Sequence, residues 1–215
     1  MLSIHGLTVR IGELTILRSL ALEVPPGRTV GLVGRNGAGK TTTLRSLMGL
    51  VPAASGTASL DGQDLLTLPP FRRGPLGIGY MPEDRRLVGP LTVRDNLLLP
   101  AWAQGRRDAR ERLDAVAALL PEVTALLDRR AAQLSGGQQK LVALGRALFC
   151  ARRLLLLDEP MEGVSPALSV RMAEVVRAFQ DREPGLSVLV AESDVNRVHL
   201  LTDRVFTIER GEVVP

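Results

Sequence analysis

Short apolar runs alternate along the chain with longer segments in which apolar residues recur every three or four positions. The short runs are bounded by glycine or polar residues, which is typical of buried strands, whereas the three-and-four spacing indicates helices. The predicted strands include residues 28–33, 154–157, 186–190 and 204–208, and the predicted helices are residues 41–50, 93–102, 108–120, 135–148 and 166–179. Strands and helices that alternate in this order favour a mainly parallel sheet covered by helices on both faces.

Two segments depart from this alternation. Residues 2–24 form short β-like pieces separated by turn residues such as Gly12, so we expect an antiparallel β subdomain beside the strand at residues 28–33. Residues 91–132 form a helical block between strand regions, so an inserted helical subdomain is expected at about residues 91–150. The sequence therefore predicts one α/β domain over its 215 residues, with both subdomains attached to the parallel core.

The stretch GRNGAGKTT, residues 34–42, lies between a predicted strand and a predicted helix. Its glycines allow backbone N–H groups to turn inward around phosphates, and the positive end of the helix adds to the attraction. In such a loop Lys40 can reach the β- and γ-phosphates, and the Thr41 hydroxyl can ligate Mg²⁺. A plain glycine-rich turn is the alternative for this pattern alone, but the flanking strand and helix favour a phosphate site.

Two carboxylates follow a run of four leucines. Residues 154–157 read as a strand buried on both faces, and the chain then continues with Asp158 and Glu159. In a phosphate-loop protein the first would hold Mg²⁺, and the second would orient or deprotonate the attacking water. A solvent-exposed acidic pair is the weaker alternative. Glu83, in the polar loop after the strand-like residues 78–81, is a further acid to examine.

A second helix start is open to an anion. In LSGGQ, Ser135 suits a helix N-cap, and Gly136 and Gly137 leave the first-turn N–H groups accessible. A second phosphate contact is therefore implied, although an ordinary helix start would look the same without the first loop.

Composition limits the other functions that need to be considered. The net charge is +4, and because Lys40 and Lys140 are the only lysines, arginine supplies nearly all of the positive charge. The arginines are dispersed, which gives no basis for expecting nucleic-acid binding. Cys150 lies in an apolar helical context and is expected to be a small core residue rather than a reactive thiol.

Two expectations concern the surface. The sequence shows neither the long apolar stretch of a secretory signal at its N-terminus nor a segment long enough to span a membrane. If the chain works at a membrane, another polypeptide is expected to do the spanning. The arginines at positions 106, 107, 110 and 112 are expected to form a solvated face, with a partner-binding patch as the alternative.

Taken together, GRNGAGKTT, LSGGQ and LLLLDEP, in this order and spacing, resemble the ATPase subunit of ATP-binding cassette (ABC) transporters over essentially the whole chain. The segments GIGYMPEDRRL, LTVRDNLLLP and LLLLDEPMEGVSP are similar to the ATPases of importers for branched-chain amino acids and related amides. The resemblance implies a phosphate-loop NTPase (RecA-like) core and a head-to-tail dimer. In that dimer each of two ATP molecules lies between one subunit's phosphate loop and the other subunit's LSGGQ.

The resemblance also implies a role for each matching residue. Glu159 would be the general base, Asp158 and Thr41 would bind Mg²⁺, and Glu83 would sit at the metal and relay the nucleotide state to the membrane subunit. The residues expected to contact ATP are Gly34, Asn36, Gly37, Ala38, Gly39, Lys40, Thr41 and Thr42 in the same subunit, and Ser135, Gly136, Gly137 and Gln138 in the opposite one.

Three positions depart from the family pattern. Ile11 stands where an aromatic residue usually stacks on adenine, Ser165 where an aspartate is usual, and Ser193 where a histidine usually contacts the γ-phosphate. Ser193 can donate a hydrogen bond but has no positive charge and a shorter reach. We therefore predict slow ATP turnover, or dependence on a partner ATPase. His199 is expected to be a surface or core residue rather than a replacement.

The leading interpretation is the ATP-hydrolysing subunit of an importer for branched-chain amino acids or similar small polar solutes. The expected partners are transmembrane permease subunits, a second ABC ATPase (itself or a homologous chain) and, indirectly, an extracytoplasmic solute-binding protein. The expected location is peripheral, on the cytoplasmic face of the cell membrane. The alternatives are a slowly hydrolysing ABC subunit with an active partner, a nucleotide-sensing binding module, and a soluble non-transport ABC protein. Because the chain carries one cassette and only a modest helical insertion, the last is disfavoured.

Overall fold

A computed structural model describes residues 1–202 and 204–214 of the chain. The strands in this part are β1 (Leu2–Ile11), β2 (Leu14–Val24), β3 (Thr29–Val33), β4 (Ser55–Leu60), β5 (Gln63–Asp64), β6 (Ile78–Met81), β7 (Leu154–Asp158), β8 (Ser187–Glu192), β9 (Val205–Glu209) and β10 (Glu212–Val214). The helices are α1 (Lys40–Leu47), α2 (Pro70–Arg73), α3 (Val93–Gln104), α4 (Ala109–Leu119), α5 (Pro121–Thr124), α6 (Gly136–Cys150), α7 (Pro166–Arg182) and α8 (Val195–His199).

The larger sheet has the strand order β10-β9-β3-β8-β7-β6 in the described residues. All its neighbouring pairs are parallel except β9 with β10 at one edge. The smaller sheet, of order β2-β1-β4-β5, is antiparallel throughout. The α/β fold with a mainly parallel core and an antiparallel β unit is therefore confirmed.

The leucine run in β7 is buried on both faces because successive side chains of a strand point to opposite sides. Leu155 and Leu157 pack with α6 and α7 on one face, in a core that also contains the apolar residues of α3 and α4. Leu154 and Leu156 pack on the other face with α1 and the antiparallel sheet. The two cores hold the carboxyl end of β7 rigidly between β6 and β8.

The N-terminal strands are longer than the predicted short pieces. β1 pairs with β2 over nearly its whole length, with register shifts between Ile4 and Leu7 and again near Val9. Gly6 has a positive φ of 62°, a conformation that a bulge requires and glycine adopts at little cost. The bulge preserves the strand where the apolar alternation is interrupted, which is why the alternation alone suggested separate pieces.

The prediction that all four arginines between positions 106 and 112 are solvated is wrong for Arg112, and Arg106, whose side chain is 15% exposed and pairs with Asp108, is only partly solvated. Arg107 and Arg110 are exposed, but the Arg112 side chain is only 5% exposed. Its guanidinium donates to the carbonyl oxygens of Leu148 at 2.9 Å, Phe149 at 3.2 Å and Ala151, and to Glu183 Oε1 at 2.6 Å. The last turn of a helix leaves carbonyl oxygens without helical partners, and the buried guanidinium donates to them here, although Leu148 O also accepts from the Ala151 N–H at 3.2 Å.

Candidate nucleotide-binding site

The loop between β3 and α1 has the backbone that a phosphate cradle needs. Gly37 and Gly39 have φ values of 83° and 117°, and a Cβ at Gly39 would lie 2.6 Å from Leu17 Cδ2. A Cβ at Gly34 would lie 2.3 Å from the carbonyl oxygen of Ile208. Glycine is thus required at these three positions by backbone conformation or by close packing. Helix α1 begins at Lys40, directly after the loop.

Lys40 folds back over this loop. Its side chain is 4% exposed, and Nζ donates to the carbonyl oxygens of Gly34 at 2.7 Å and Arg35 at 3.2 Å. The same nitrogen lies 3.0 Å from Glu159 Oε1. The positive charge of Lys40 therefore stands between the phosphate loop and the carboxylate at the end of β7.

An open cavity of about 390 Å³ lies against the loop. It is lined by Ile16, Asn36, Gly37, Gly39, Lys40, Thr41, Thr42, Glu83, Glu159 and Glu162. The structure thus brings the loop together with Glu83 and Glu159, which are separated from it by about 40 and 120 residues of sequence. A second cavity, of about 660 Å³, lies along the other side of the loop and is lined by Gly34, Ala38 and Ser193 among others.

Asp158 is the last residue of β7 and is fully buried. The Thr41 hydroxyl donates to its Oδ1 at 2.9 Å, and the Tyr80 hydroxyl donates to its Oδ2 at 3.2 Å. Burial raises the pKa of Asp158, and the negative charges of Glu83 and Glu159 add to this, while the two hydrogen bonds oppose it. A cation bound here would offset the mutual repulsion of the negative charges on Asp158, Glu83 and Glu159.

These residues fit Mg²⁺. In residues 1–202 and 204–214 there is no group of three or more His, Cys, Asp or Glu side chains arranged to hold a metal. Mg²⁺ rarely needs such a group, because it usually takes one or two protein oxygens and completes its shell with phosphates and water. The Thr41 hydroxyl beside an Asp158 carboxylate supplies that pair.

Glu159 is held in an uncommon conformation. Its φ is 46°, in the left-handed region, and the residue is 5% exposed. Its N–H donates to Ala191 O at 2.9 Å, and its carbonyl oxygen accepts from Lys140 Nζ at 2.6 Å. A non-glycine residue in this region costs about 1–3 kcal/mol and persists only where its surroundings impose it, commonly at functional sites.

The Glu159 carboxylate also has several donors. Oε2 accepts from the Ser193 N–H at 3.0 Å and from the Ser193 hydroxyl at 3.3 Å. Burial by itself would raise the pKa of Glu159, but the neighbouring Glu192 carboxyl and the Lys40 ammonium hold it below its ordinary value. The carboxylate is therefore ionised at neutral pH and can accept a proton.

Glu83 lies on the loop after β6, which is fastened to α6. Arg85 donates to the Gln139 side chain at 2.8 Å, and Arg146 donates to the carbonyl oxygens of Arg85 and Arg86 at 2.6 and 2.8 Å. Arg85 and Arg86 both have positive φ, 61° and 48°. These hydrogen bonds therefore connect the loop at the cavity to helix α6.

Ser135 is the N-cap of α6, as predicted, and it forms a capping box with Gln138. Ser135 Oγ accepts from the Gln138 N–H at 3.3 Å, and Gln138 Oε1 accepts from the Ser135 N–H at 2.9 Å. Ser135 and Gly136 are exposed, Gly137 and Gln138 are half-buried, and none of the four lines the cavity beside the phosphate loop. This helix end is therefore not part of the cavity beside the chain's own phosphate loop.

The remaining predicted residues have different surroundings. Ile11 is 52% exposed at the end of β1 and lines neither cavity, whereas Ile16 faces the phosphate loop. Ser165 caps α7 by accepting from the Leu168 N–H at 3.3 Å. His199 ends α8 and is exposed. Burial raises the pKa of the Cys150 thiol to about 11, which fits an unreactive cysteine.

Sequence reasoning missed three residues at the site: Tyr80, Lys140 and Glu192. Lys140 and Glu192 are 3% and 0% exposed, which is unusual for charged residues. Glu192 follows the apolar strand SVLVA, much as Asp158 follows its leucines, so a carboxylate at the end of a buried strand was the available signal. Lys140 gave a weaker signal, as one of only two lysines.

The fold and this cavity together define a class, the phosphate-loop NTPases. A parallel sheet delivers a glycine-rich loop, a lysine, a Thr–Asp pair and an ionised glutamate to one edge. Ligands bind at this carboxyl edge in open α/β sheets.

Comparison with known proteins narrows the class. The sequence profile described as "ABC transporter" matches residues 17–162. The chain is 36% identical, over 214 residues, to the high-affinity branched-chain amino acid transport ATP-binding protein BraG of Pseudomonas aeruginosa, covering 100% of this chain and 91% of BraG. It is 32% identical over 201 residues to the lipopolysaccharide export system ATP-binding protein LptB of Escherichia coli K12, covering 93% and 83% of the two chains. Among solved structures, the ADP conformation of MJ1267, an ATP-binding cassette of an ABC transporter, matches with a TM-score of 0.85 and 25% identity over 100% of this chain and 89% of that one.

The chain therefore belongs to the ABC transporter family, as an ATP-hydrolysing, nucleotide-binding subunit. Among the helices of the described residues, none has the length and apolar character to cross a bilayer.

Proposed function

We propose that this chain powers an ABC importer for branched-chain amino acids or related small polar solutes, from the cytoplasmic face of the membrane. The similarity to BraG over nearly the full length of both chains supports the solute class. The similarity to LptB, which belongs to an export system, is lower and covers less of both chains. An importer subunit works with permease subunits in the membrane and, indirectly, with an extracytoplasmic solute-binding protein.

The proposed reaction is hydrolysis of ATP bound at the phosphate loop. The N–H groups of residues 34–42 and the Lys40 ammonium bind the phosphates, and Thr41 and Asp158 hold Mg²⁺, which neutralises phosphate charge. Lys40 must then exchange its contact with Glu159 for the γ-phosphate. The freed Glu159 carboxylate orients a water molecule and takes its proton as the water oxygen bonds to the γ-phosphorus; the bond from that phosphorus to the oxygen bridging to the β-phosphate breaks, and ADP and inorganic phosphate are released.

A second subunit completes the site in this proposal. The single observation that carries it is the position of the two anion-ready helix ends: the first residues of α1 line the cavity, whereas the accessible N-terminus of α6 does not. Residues 135–138 would therefore cover the γ-phosphate of ATP bound to the opposite subunit. Whether that subunit is a second copy or a homologous ATPase, two composite sites form between them.

The loop carrying Glu83 would transmit the state of the site. Its hydrogen bonds to Gln139 and Arg146 connect the cavity with α6, the helix that begins in LSGGQ. Phe71 on α2 and Trp102 on α3 are 74% and 57% exposed, and the segments that carry them meet where a Cβ on Gly74 would lie 3.1 Å from Gln104 Nε2. Exposed aromatic side chains of this kind suit a protein partner, and we assign them to permease docking.

The test is the Glu159→Gln variant. It should lose at least about 100-fold in kcat, because the amide cannot accept the proton, and should accumulate as an ATP-bound dimer on size-exclusion chromatography. Glu174→Gln, an exposed change on α7, is the matched control. Wild-type hydrolysis in Glu159→Gln would contradict the assigned base. Purification from membranes in mild detergent should recover permease subunits, and Phe71→Ala should weaken that recovery while ATPase activity of the isolated chain stays unchanged.

The second candidate function is a slowly hydrolysing subunit that depends on an active partner. Ser193 favours it, because a neutral hydroxyl bonded to Glu159 stands where the family usually has a histidine. The retained Glu159 favours hydrolysis in this chain itself. A turnover assay on the purified chain, alone and with its partner ATPase, decides between the two.

A further inference from the structure

A second carboxyl group lies against the proposed base. Glu192 is the last residue of β8 and is 0% exposed. Its Oε1 accepts from the Met161 N–H at 2.8 Å. Within the described residues, its Oε2 has no hydrogen-bond partner. The residues on either side of Glu192 both bind Glu159: Ala191 O accepts from the Glu159 N–H at 2.9 Å, and the Ser193 N–H donates to Glu159 Oε2 at 3.0 Å.

Two ionised carboxylates in this position could not be stable neighbours. Both would only accept hydrogen bonds, and their negative charges would repel in a site that is largely closed to water. A proton on Glu192 Oε2 removes both problems, because the oxygen becomes a donor and Glu159 becomes its acceptor. Glu159 is the one that stays ionised, since Lys40 and the Ser193 N–H already bind its carboxylate.

Neither of the positively charged side chains near Glu192 donates a hydrogen bond to its Oε2. Arg197 on α8 comes within 3.8 Å of Oε2, too far for a hydrogen bond, and its side chain is 32% exposed. Lys140 on α6 faces Glu192, but its ammonium donates to the Glu159 carbonyl oxygen. Burial and then the contact with Glu159 raise the pKa of Glu192 to about 8, while Met161 N–H and Arg197 oppose the rise.

We propose that Glu192 is a positioning residue that keeps its proton in the working enzyme and donates it in a hydrogen bond to Glu159. The inference rests on the proposed role of Glu159 as the base. The bond fixes the direction of the Glu159 carboxylate when Lys40 leaves it for the phosphates. Ser193 and Glu192 then hold the base from its own subunit.

Two substitutions test this. In Glu192→Gln, the amide N–H can donate to Glu159 while the amide oxygen accepts from Met161, so kcat should stay close to that of the wild type. In Glu192→Leu both bonds are lost, and kcat should fall about tenfold or more, the value of one hydrogen bond to a charged group, with little change in KM for ATP. A merely structural role would lower both variants together with their melting temperatures.

The pH profile gives an independent measurement. Since Glu192 must be protonated, wild-type kcat should fall as the pH rises through about 8, whereas Glu192→Gln should keep its activity because its amide does not titrate. An alkaline fall of the same size in Glu192→Gln would overturn the inference even if Glu192→Leu fails to fold.

The outcomes separate the two proposals. If wild type hydrolyses ATP, Glu159→Gln does not, and Glu192→Leu matches wild type at every pH, only the role of Glu192 is overturned. If Glu159→Gln hydrolyses ATP like the wild type, Glu159 is not the general base, and the proposed role of Glu192 is overturned as well.

Discussion

Replacing Arg112 with methionine should destabilise the fold. Methionine fills a similar volume, but it removes the guanidinium donor from the carbonyl oxygens of Phe149 and Ala151, while Leu148 O keeps only the Ala151 N–H at 3.2 Å. It also leaves Glu183 without its ion pair, although this carboxylate is 26% exposed and can be hydrated.

The magnitude follows from these contacts. Breaking a buried charged pair by removing one partner costs about 3–5 kcal/mol. The hydration of Glu183 and the apolar contacts of methionine place the expected loss near the lower limit, about 3 kcal/mol. For a chain of this size, 1 kcal/mol corresponds to about 2–4 °C in melting temperature, so the Tm should fall by about 6–12 °C.

Thermal unfolding followed by circular dichroism at low salt measures this. Arg110→Met is the matched control, because Arg110 lies on the same helix and is exposed, and its Tm should change by less than about 2 °C. Equal shifts in the two variants would refute the argument that the Arg112 guanidinium satisfies the end of α6. Arg112→Lys should give an intermediate Tm, since one ammonium cannot reach all four acceptors.

Three further predictions concern the site. Lys140→Met should lower kcat about tenfold, because Glu159 loses the 2.6 Å bond that helps to hold its left-handed backbone. Arg107→Met is the control. An unchanged kcat in Lys140→Met would show that the hydrogen bond to Ala191 O is enough to hold the Glu159 backbone. Ser193→His should raise basal ATP turnover if the missing histidine limits the rate, and equal, rapid hydrolysis in both proteins would end the prediction of a slow enzyme. Cys150, with its thiol pKa raised to about 11 by burial, should resist iodoacetamide at pH 7.5 in the folded protein and react after unfolding in urea; fast labelling of the native chain, measured by mass spectrometry, would contradict the raised pKa of this half-buried thiol.

Structural features that depend on residues adjacent in sequence could be predicted from the sequence. The phosphate loop, the Ser135 N-cap of LSGGQ and the doubly buried β7 each depend on a few consecutive side chains and on local backbone preferences. Their order along the chain was enough to indicate the α/β class and the family.

The tertiary structure decided which distant residues meet. Glu192 reaches Glu159 only because β8 pairs with β7 in a parallel register that sets Asp158 beside Ala191. Arg112 is buried because the end of α6 lies beside α4. The charge pattern of α4 does not indicate this packing. The chemistry of the base therefore depends on contacts between residues far apart in sequence, since only packing fixes which donors surround a carboxylate and which charges lose their water.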